Sequence, residues 1–234
     1  QGRVVAMVQN RTGGAGAEVT QDNAACTGIN YGTDVEYGGS GGCQGGSTFK
    51  AITLTEWIRS GHSVRQSVNA NGRTEQYQNF PAHCLDGGIY GYGNWTFQND
   101  QGRQYGTRTV QNVIEQSING GVVSMQQQMD LCDTFDTAKK LGVHRAAEQN
   151  SDPSMSNYGT RDLAILPSTV YGDTDELAPI TMATAFGAFG PAGEGCQPVP
   201  IDTILEPDGA DGNCTGPQCS PAITPDVAAR RASV

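Results

Sequence analysis

The stretch Gly46-Ser-Thr-Phe-Lys-Ala-Ile-Thr-Leu-Thr-Glu-Trp57 decides the reading of this chain. Phe49, Ile52, Leu54, Trp57 and Ile58 recur at helical spacing, so a helix opens at Ser47, and Gly61 closes it. Ser47 and Lys50 lie three residues apart and therefore share one face. A serine hydroxyl is a poor nucleophile until a nearby base takes its proton. Lys50 can be that base if burial lowers its pKa far enough to leave the amine neutral. At the helix N-terminus, free N–H groups and the dipole stabilise negative charge developing beside the nucleophile.

Further along, Val110, Val113, Ile114 and Ser117 mark a helix ending near Ser117. Gly120-Gly121 breaks the pattern, and Val122, Met125, Met129 and Cys132 begin another helix. Ser117-Ile118-Asn119 therefore sits at an interhelical turn, where a hydroxyl and an amide can face a cleft. In this arrangement Ser117 relays a proton to a leaving group. Asn119 hydrogen-bonds both a peptide substrate and the Lys50 side chain. Ser67-Val68-Asn69 repeats the spacing, but in a polar stretch without flanking helices, and reads as surface loop.

Arg3–Gln9 is apolar on both alternating faces and reads as a covered strand, with a second short strand at Val35–Tyr37. Residues 63–106 read as short strands and loops. Asp133 is the expected N-cap of a short helix closed by Gly142. Pro179 opens another helix, with Met182, Ala185, Phe186 and Phe189 on its core face. Val199–Leu205 resembles a strand, residues 207–221 a loop, and Pro225–Ala229 the start of a helix. His83 and His144 read as structural residues and Trp57 as core. Tyr90, Tyr92 and Trp95 read as a loop cluster packing on itself.

The 234 residues suffice for one large domain with a real core. The 32 glycines are roughly twice ordinary usage and gather in residues 13–46 and 87–106, which read as long turn-rich loops. A net charge of −10 argues against a nucleic-acid partner. No apolar run approaches the ~20 residues of a membrane span, and no signal peptide opens the chain. The seven cysteines include no Cys-x-x-Cys, and the three histidines form no ligand cluster with them in sequence. The expectation is no metal and no cofactor, but secretion with a few disulfides. Cys214 with Cys219 and Cys26 with Cys43 are the candidate pairs, Cys132 a buried thiol, and an odd count leaves one cysteine over.

Gly2-Arg-Val-Val-Ala-Met-Val-Gln-Asn-Arg-Thr12, Tyr37-Gly-Gly-Ser-Gly and the Ser47 segment resemble the start of the transpeptidase domain of class A penicillin-binding proteins, most closely the actinobacterial bifunctional enzymes. Gln116-Ser-Ile-Asn119, Met129-Asp-Leu-Cys-Asp-Thr-Phe-Asp-Thr-Ala138, Leu141-Gly-Val-His-Arg145 and Ala178-Pro-Ile-Thr-Met-Ala183 continue the match in order. Cys196-Gln-Pro-Val-Pro-Ile-Asp202 and Ile223-Thr-Pro-Asp-Val-Ala228 extend it to the end.

The resemblance implies an α+β fold, an antiparallel sheet flanked by helices, with residues 1–234 forming a partial transpeptidase domain. It implies an upstream glycosyltransferase domain and a membrane anchor outside these residues, on the extracytoplasmic face of the membrane. Ser47 is then the nucleophile, Lys50 its general base, Ser117 the second catalytic hydroxyl and Asn119 a substrate-binding group. The implied reaction is acyl transfer from a D-Ala-D-Ala peptidoglycan stem peptide to a neighbouring strand's amine, with β-lactams acylating Ser47 as mimics. A DD-carboxypeptidase or β-lactamase outcome, and a non-catalytic binding or scaffold protein, stay open beside it.

Three departures stand out. Gly45 occupies the usual place of a proline, and the polar insertions at 13–30 and 85–106 have no counterpart. The family's Lys-Thr-Gly motif is absent as well, since the only lysines are Lys50, Lys139 and Lys140. The expectation is that this strand comes from a further segment or a second chain, and that a sheet edge is left unpaired here.

Overall fold

Helix α1 (Lys50–Arg59) ends before Gly61 as expected but opens at Lys50 rather than Ser47, which lies in a preceding 3-10 turn at Gly46–Phe49. Phe49, Ile52 and Trp57 are buried on its inner face, whereas Ile58 points outward. Its end is closed by the Ser60 hydroxyl, which donates to the Glu56 carbonyl at 2.7 Å, and by Gly61 at φ 90°. The structure is a computed structural model that describes residues 3–10, 12–13, 26–147, 153–155, 157–173, 175–190, 196 and 198–199.

Three further helices complete the core around α1: α2 (Val110–Glu115), α3 (Asn119–Gln126) and α4 (Leu131–Lys140). Val113 from α2, Val122 and Met125 from α3, and Leu131, Phe135 and Ala138 from α4 join its buried face. Removing such a side chain from water stabilises the fold by roughly 1.5–3 kcal/mol. Thr109 caps α2 by accepting from Asn112 N at 3.3 Å. Asp130, not Asp133, caps α4: its Oδ1 accepts from Cys132 N at 2.8 Å, leaving Asp133 in the first turn.

Gly120 and Gly121 do not break the chain; they lie inside α3 and are buried. A Cβ at Gly120 would collide with the Asn71 carbonyl, and one at Gly121 with the Val113 side chain. Close approach of backbone to its neighbours, not a turn, accounts for this pair.

Among the described residues the strands form four short ladders. β1 (Thr12–Gly13) runs parallel to β2 (Cys26–Thr27). The other three pairs are antiparallel: β3 (Cys43–Gln44) with β8 (Glu176–Leu177), β4 (Ser67–Asn69) with β7 (Thr107–Thr109), and β5 (Arg73–Gln76) with β6 (Asn94–Phe97). Residues 63–106 are thus the short strands and loops expected of them. Val35–Tyr37 is a 3-10 turn rather than a strand, closed by Gly38 at φ 79°.

Arg3–Gln9 is not a covered strand. Its one ladder contact among the described residues is the parallel bridge Arg3 to Val199, and Val5 and Val8 are 96 % and 91 % exposed. Helix α5 (Pro179–Gly187) opens at Pro179 as expected and buries Thr181 and Ala185. Phe186 and Phe189 instead lie near half-exposed and meet each other edge to face, with centroids 5.5 Å apart. Of Val199–Leu205 only Val199 is described, and residues 207–221 and 225–229 lie outside the described residues.

Cys132 is not a buried thiol; it forms a disulfide with Cys84 that ties α4 to the 80–90 loop. Cys43 is an exposed free thiol rather than half of a Cys26–Cys43 pair. Cys214 and Cys219 lie outside the described residues. Trp57 is core, as expected. The aromatic loop cluster packs inward, Tyr90 against Tyr77 and Trp95 between Phe80 and Tyr171, while Tyr92 stays exposed.

Candidate active site

Gly46 takes φ 56°, which starts the 3-10 turn and leaves Ser47 exposed at its outer edge. Ser47 lies in this turn three residues before Lys50, the first residue of α1. The Lys50 backbone N–H closes that turn on the Ser47 carbonyl. Behind the turn, Gly172 at φ 88° approaches so closely that a Cβ there would overlap the Gly46 carbonyl, and Gly46 N donates to Gly172 O at 3.0 Å. Gly45, at φ −63°, already has the backbone a proline would impose, with Leu177 against the space of its missing Cβ.

The Ser117 turn has a separate origin. Ile118 N donates to Val113 O at 2.9 Å and Ser117 N to Ile114 O at 3.1 Å, the paired bonds that terminate a helix in a Schellman motif. The pivot of that motif is left-handed and usually glycine. Here it is Ser117 at φ 56°, one of two non-glycine residues at positive φ among those described. Such a residue costs roughly 1–3 kcal/mol and persists only where its surroundings hold it, here with Ile118 buried beside it. The conformation turns both the carbonyl and the hydroxyl of Ser117 toward Lys50.

Lys50 lies between the two segments and is 3 % exposed. Its Nζ donates to Ser117 O at 2.6 Å, to Ser117 Oγ at 2.9 Å and to Asn119 Oδ1 at 2.6 Å. All three ammonium protons are thereby placed. Burial lowers the Lys50 pKa to about 8, because the charged form loses its water. A neutral Lys50 has two protons and a lone pair, so deprotonation must release one of the three contacts. The amide of Asn119 is fixed at its other end, with Nδ2 donating to Gln98 O at 3.2 Å.

The fold thus brings Lys50, Ser117 and Asn119 into direct contact, with Ser47 one turn from Lys50. The Ser67 copy of the spacing stands apart, exposed on β4 opposite Thr109. Three supporting residues were not anticipated from sequence: Asn99, Arg73 and Gly172. The one sequence-level sign of them is the glycine of Tyr171-Gly172, which resembles any turn.

A second ionic cluster is structural. His144 bonds Asp34 at 3.0 Å and Arg161 pairs with Asp34 at 2.7 Å, clasping the 34–36 turn to the end of α4. The Asp34 bond raises the His144 pKa, and His144 and Arg161 hold Asp34 below the usual carboxylate range against the opposing effect of its burial. His83 is a loop residue paired with Asp130 at 3.1 Å. Folding does gather His83, Asp130 and Cys132, a grouping the sequence spacing did not suggest. The Cys132 sulfur is committed to the disulfide, so the trio is not a thiolate metal centre.

At the entry of α1 the Lys50 side chain meets the serine–asparagine turn before α3, and Ser47 lies three residues ahead of it in the 3-10 turn. The chain belongs to the penicillin-binding protein transpeptidase domain family, whose model matches residues 1–220. Its fold is similar to that of PBPA from Mycobacterium tuberculosis, at 21 % identity and TM-score 0.57 over 89 % of this chain and 45 % of that one. Penicillin-binding protein 1A from Haemophilus influenzae matches at 17 % identity and TM-score 0.57, over 79 % of this chain and 23 % of that one. The PonA1 protein of M. tuberculosis, solved in complex with penicillin V, matches at 18 % and 0.51, over 73 % and 40 %. At these identities the likeness concerns the fold, and the chain spans less than half of each of these proteins. No curated protein sequence matches the chain significantly.

Proposed function

We propose that this chain contributes the Ser47 half of a peptidoglycan DD-transpeptidase site that β-lactams acylate. The observation that carries the reading is the buried Lys50 ammonium held by Ser117 and Asn119, one turn from an exposed Ser47. In the first step neutral Lys50 takes the Ser47 proton as Oγ attacks the carbonyl carbon of a D-Ala-D-Ala peptide bond. The tetrahedral intermediate collapses when that proton reaches the leaving D-Ala nitrogen through Lys50 and the Ser117 hydroxyl. Attack on the ester by an acceptor amine then forms the cross-link and returns a proton to Ser47. A β-lactam follows the first step only, because its leaving nitrogen stays tethered.

Asn119 holds the substrate backbone through the Nδ2 proton not given to Gln98. The Ser47 N–H supplies one oxyanion donor; the second donor and the carboxylate site belong to the Lys-Thr-Gly strand, which we place outside this sequence, on a further segment or another chain. On the same reading residues 1–234 are part of an extracytoplasmic domain of a class A, actinobacterial-type protein carrying a glycosyltransferase domain and a membrane anchor. No helix among the described residues is long and apolar enough to cross a membrane.

The test is covalent labelling with a fluorescent penicillin. Ser47→Ala should abolish the label while Ser67→Ala keeps it, and Lys50→Arg should label at least ~100-fold more slowly, because guanidinium does not give up its proton. Labelling retained in Ser47→Ala, or near-normal labelling of Lys50→Arg, refutes the assignment. Should the wild-type protein not label at all, a non-catalytic scaffold is the better reading.

A further inference from the structure

The polar insertion at 85–106 delivers one side chain to the candidate site by an indirect route. β6 leaves its ladder at Phe97, and the next two residues run against the start of α3. Asn99 is 4 % exposed although every neighbour in sequence is polar. Its Nδ2 donates to Ala70 O and to Arg103 O, both at 2.9 Å, and its Oδ1 accepts from Gly120 N at 2.8 Å. Two carbonyl acceptors on one side can be met only by the NH₂ end of an amide, so the oxygen must face Gly120. Gly120 itself is seated against the Asn71 and Ala70 carbonyls, where no larger residue fits.

The residue on each side of this bond belongs to the same chain of contacts. Gln98 gives its carbonyl to Asn119 Nδ2, and Asn119 Oδ1 then faces Lys50 Nζ. An Asn119 amide flipped by half a turn would set its NH₂ against the Lys50 ammonium and its oxygen against the Gln98 carbonyl, so that both contacts turn repulsive. We infer that Asn99 is a positioning residue: with the Gln98 carbonyl it locks the amide orientation of Asn119 and so fixes the acceptor that Lys50 meets. On this view the insertion is a brace for the site. The effect on acylation rests on the proposed function; the effect on Lys50 does not.

The consequence for Lys50 has a definite sign. An acceptor on the ammonium favours the charged form. Loosening Asn119 therefore moves the Lys50 midpoint further below about 8. The titratable groups on adjoining elements do not confuse this readout. Glu56 and Arg59 on its own helix and Tyr171 and Asp173 beside the Gly172 turn are the same in every variant, so they add no difference between variants to a midpoint that burial lowers.

The experiment compares wild type, Asn99→Ala and Asn99→Asp in the full protein. With only three lysines, ¹³Cε NMR of labelled lysine resolves the Lys50 titration, and penicillin labelling of Ser47 is followed against pH. Asn99→Ala should lower the Lys50 midpoint and slow acylation by a factor of about ten, the scale of one lost buried hydrogen bond. Asn99→Asp keeps an acceptor for Gly120 N but sets its second oxygen against the Ala70 and Arg103 carbonyls, so it should recover only part of the rate. Should Asn99→Ala fail to fold, Asn99→Asp carries the test through that partial loss of rate. A Lys50 midpoint identical in all folded variants overturns the positioning role. A displaced midpoint without any Ser47 adduct, even in wild type, keeps the positioning role and removes the catalytic reading instead.

Discussion

The segment 3–9 and the segment 47–57 are both apolar in sequence, yet they have opposite fates. Phe49, Ile52 and Trp57 are sealed between α3, α4 and the 167–171 turn, whereas Val5 and Val8 lie almost wholly in solvent with one bridge beside them. The difference lies in their partners. Helix α1 packs on elements that follow it within these residues, and several of its polar groups are bonded as well: Thr53 Oγ1 donates to Val170 O at 2.7 Å, and Glu56 accepts from Thr137 at 2.7 Å. No described element pairs with residues 4–9 along their length. Apolar sequence states what a segment can bury, and the neighbours decide whether it does.

Truncating the buried side chains tests this contrast most strongly. Phe49→Ala or Trp57→Ala should cost roughly 3–5 kcal/mol in denaturant unfolding. Val5→Ala and Val8→Ala should stay within about 0.5 kcal/mol. A large loss at Val5 would mean that residues 3–9 are covered in the protein after all, and would erase the distinction.

The disulfide sharpens the same contrast at an intermediate scale. Cys84 and Cys132 are 48 residues apart in sequence, and their link fastens the 80–90 loop to the N-terminus of α4. Replacing both by serine should cost about 2–4 kcal/mol. The unfolding transition measured with and without reductant gives an independent check. Substituting the free Cys43 should have little effect.

The smallest effect concerns pH. The folded pKa of His144 is raised by Asp34, so its stabilisation is complete below the unfolded value of about 6.5 and is lost as pH rises through the folded value. Asp175 works in the same direction by another cause. Burial raises its pKa to about 6, so a penalty for ionising it in place grows as pH rises from about 4 through 6. Stability should therefore fall on going from pH 6 to pH 8, and His144→Gln should flatten the upper part of that slope. A slope unchanged in His144→Gln would remove the clasp from the account.

Much of this was legible in the sequence because periodicity reports local burial. The helical spacing that runs from Phe49 to Trp57, and the polar turn between two apolar repeats at 117–119, placed Lys50 on α1 and Ser117 at the turn, with Ser47 falling in the 3-10 turn ahead of α1 and Asn119 on the first residue of α3. What resisted was set by contacts distant in sequence. Gly120-Gly121 read as a break, since glycine disfavours helix interiors by about 1 kcal/mol each, but the close approach of Asn71 and Val113 leaves room for nothing larger. Asp133 and Asp130 are equally good caps by type, and only the fold shows that Asp130 accepts from Cys132 N. Asn99 and Arg73 lie in the 63–106 stretch of short strands and loops, where the sequence singles out neither. Only the fold shows Arg73 bonding Ser124 and Gln127 at 2.9 Å each, and Asn99 holding the first turn of α3.

The central claim, that this fold presents Ser47 as an acylation nucleophile activated by Lys50, is tested most directly by intact mass. The protein is weighed before and after incubation with a penicillin, and the modified peptide is mapped. The account predicts a single adduct of one penicillin per chain on Ser47, forming faster as pH rises through about 8. A mass unchanged after incubation, or an adduct on any other residue, would contradict it.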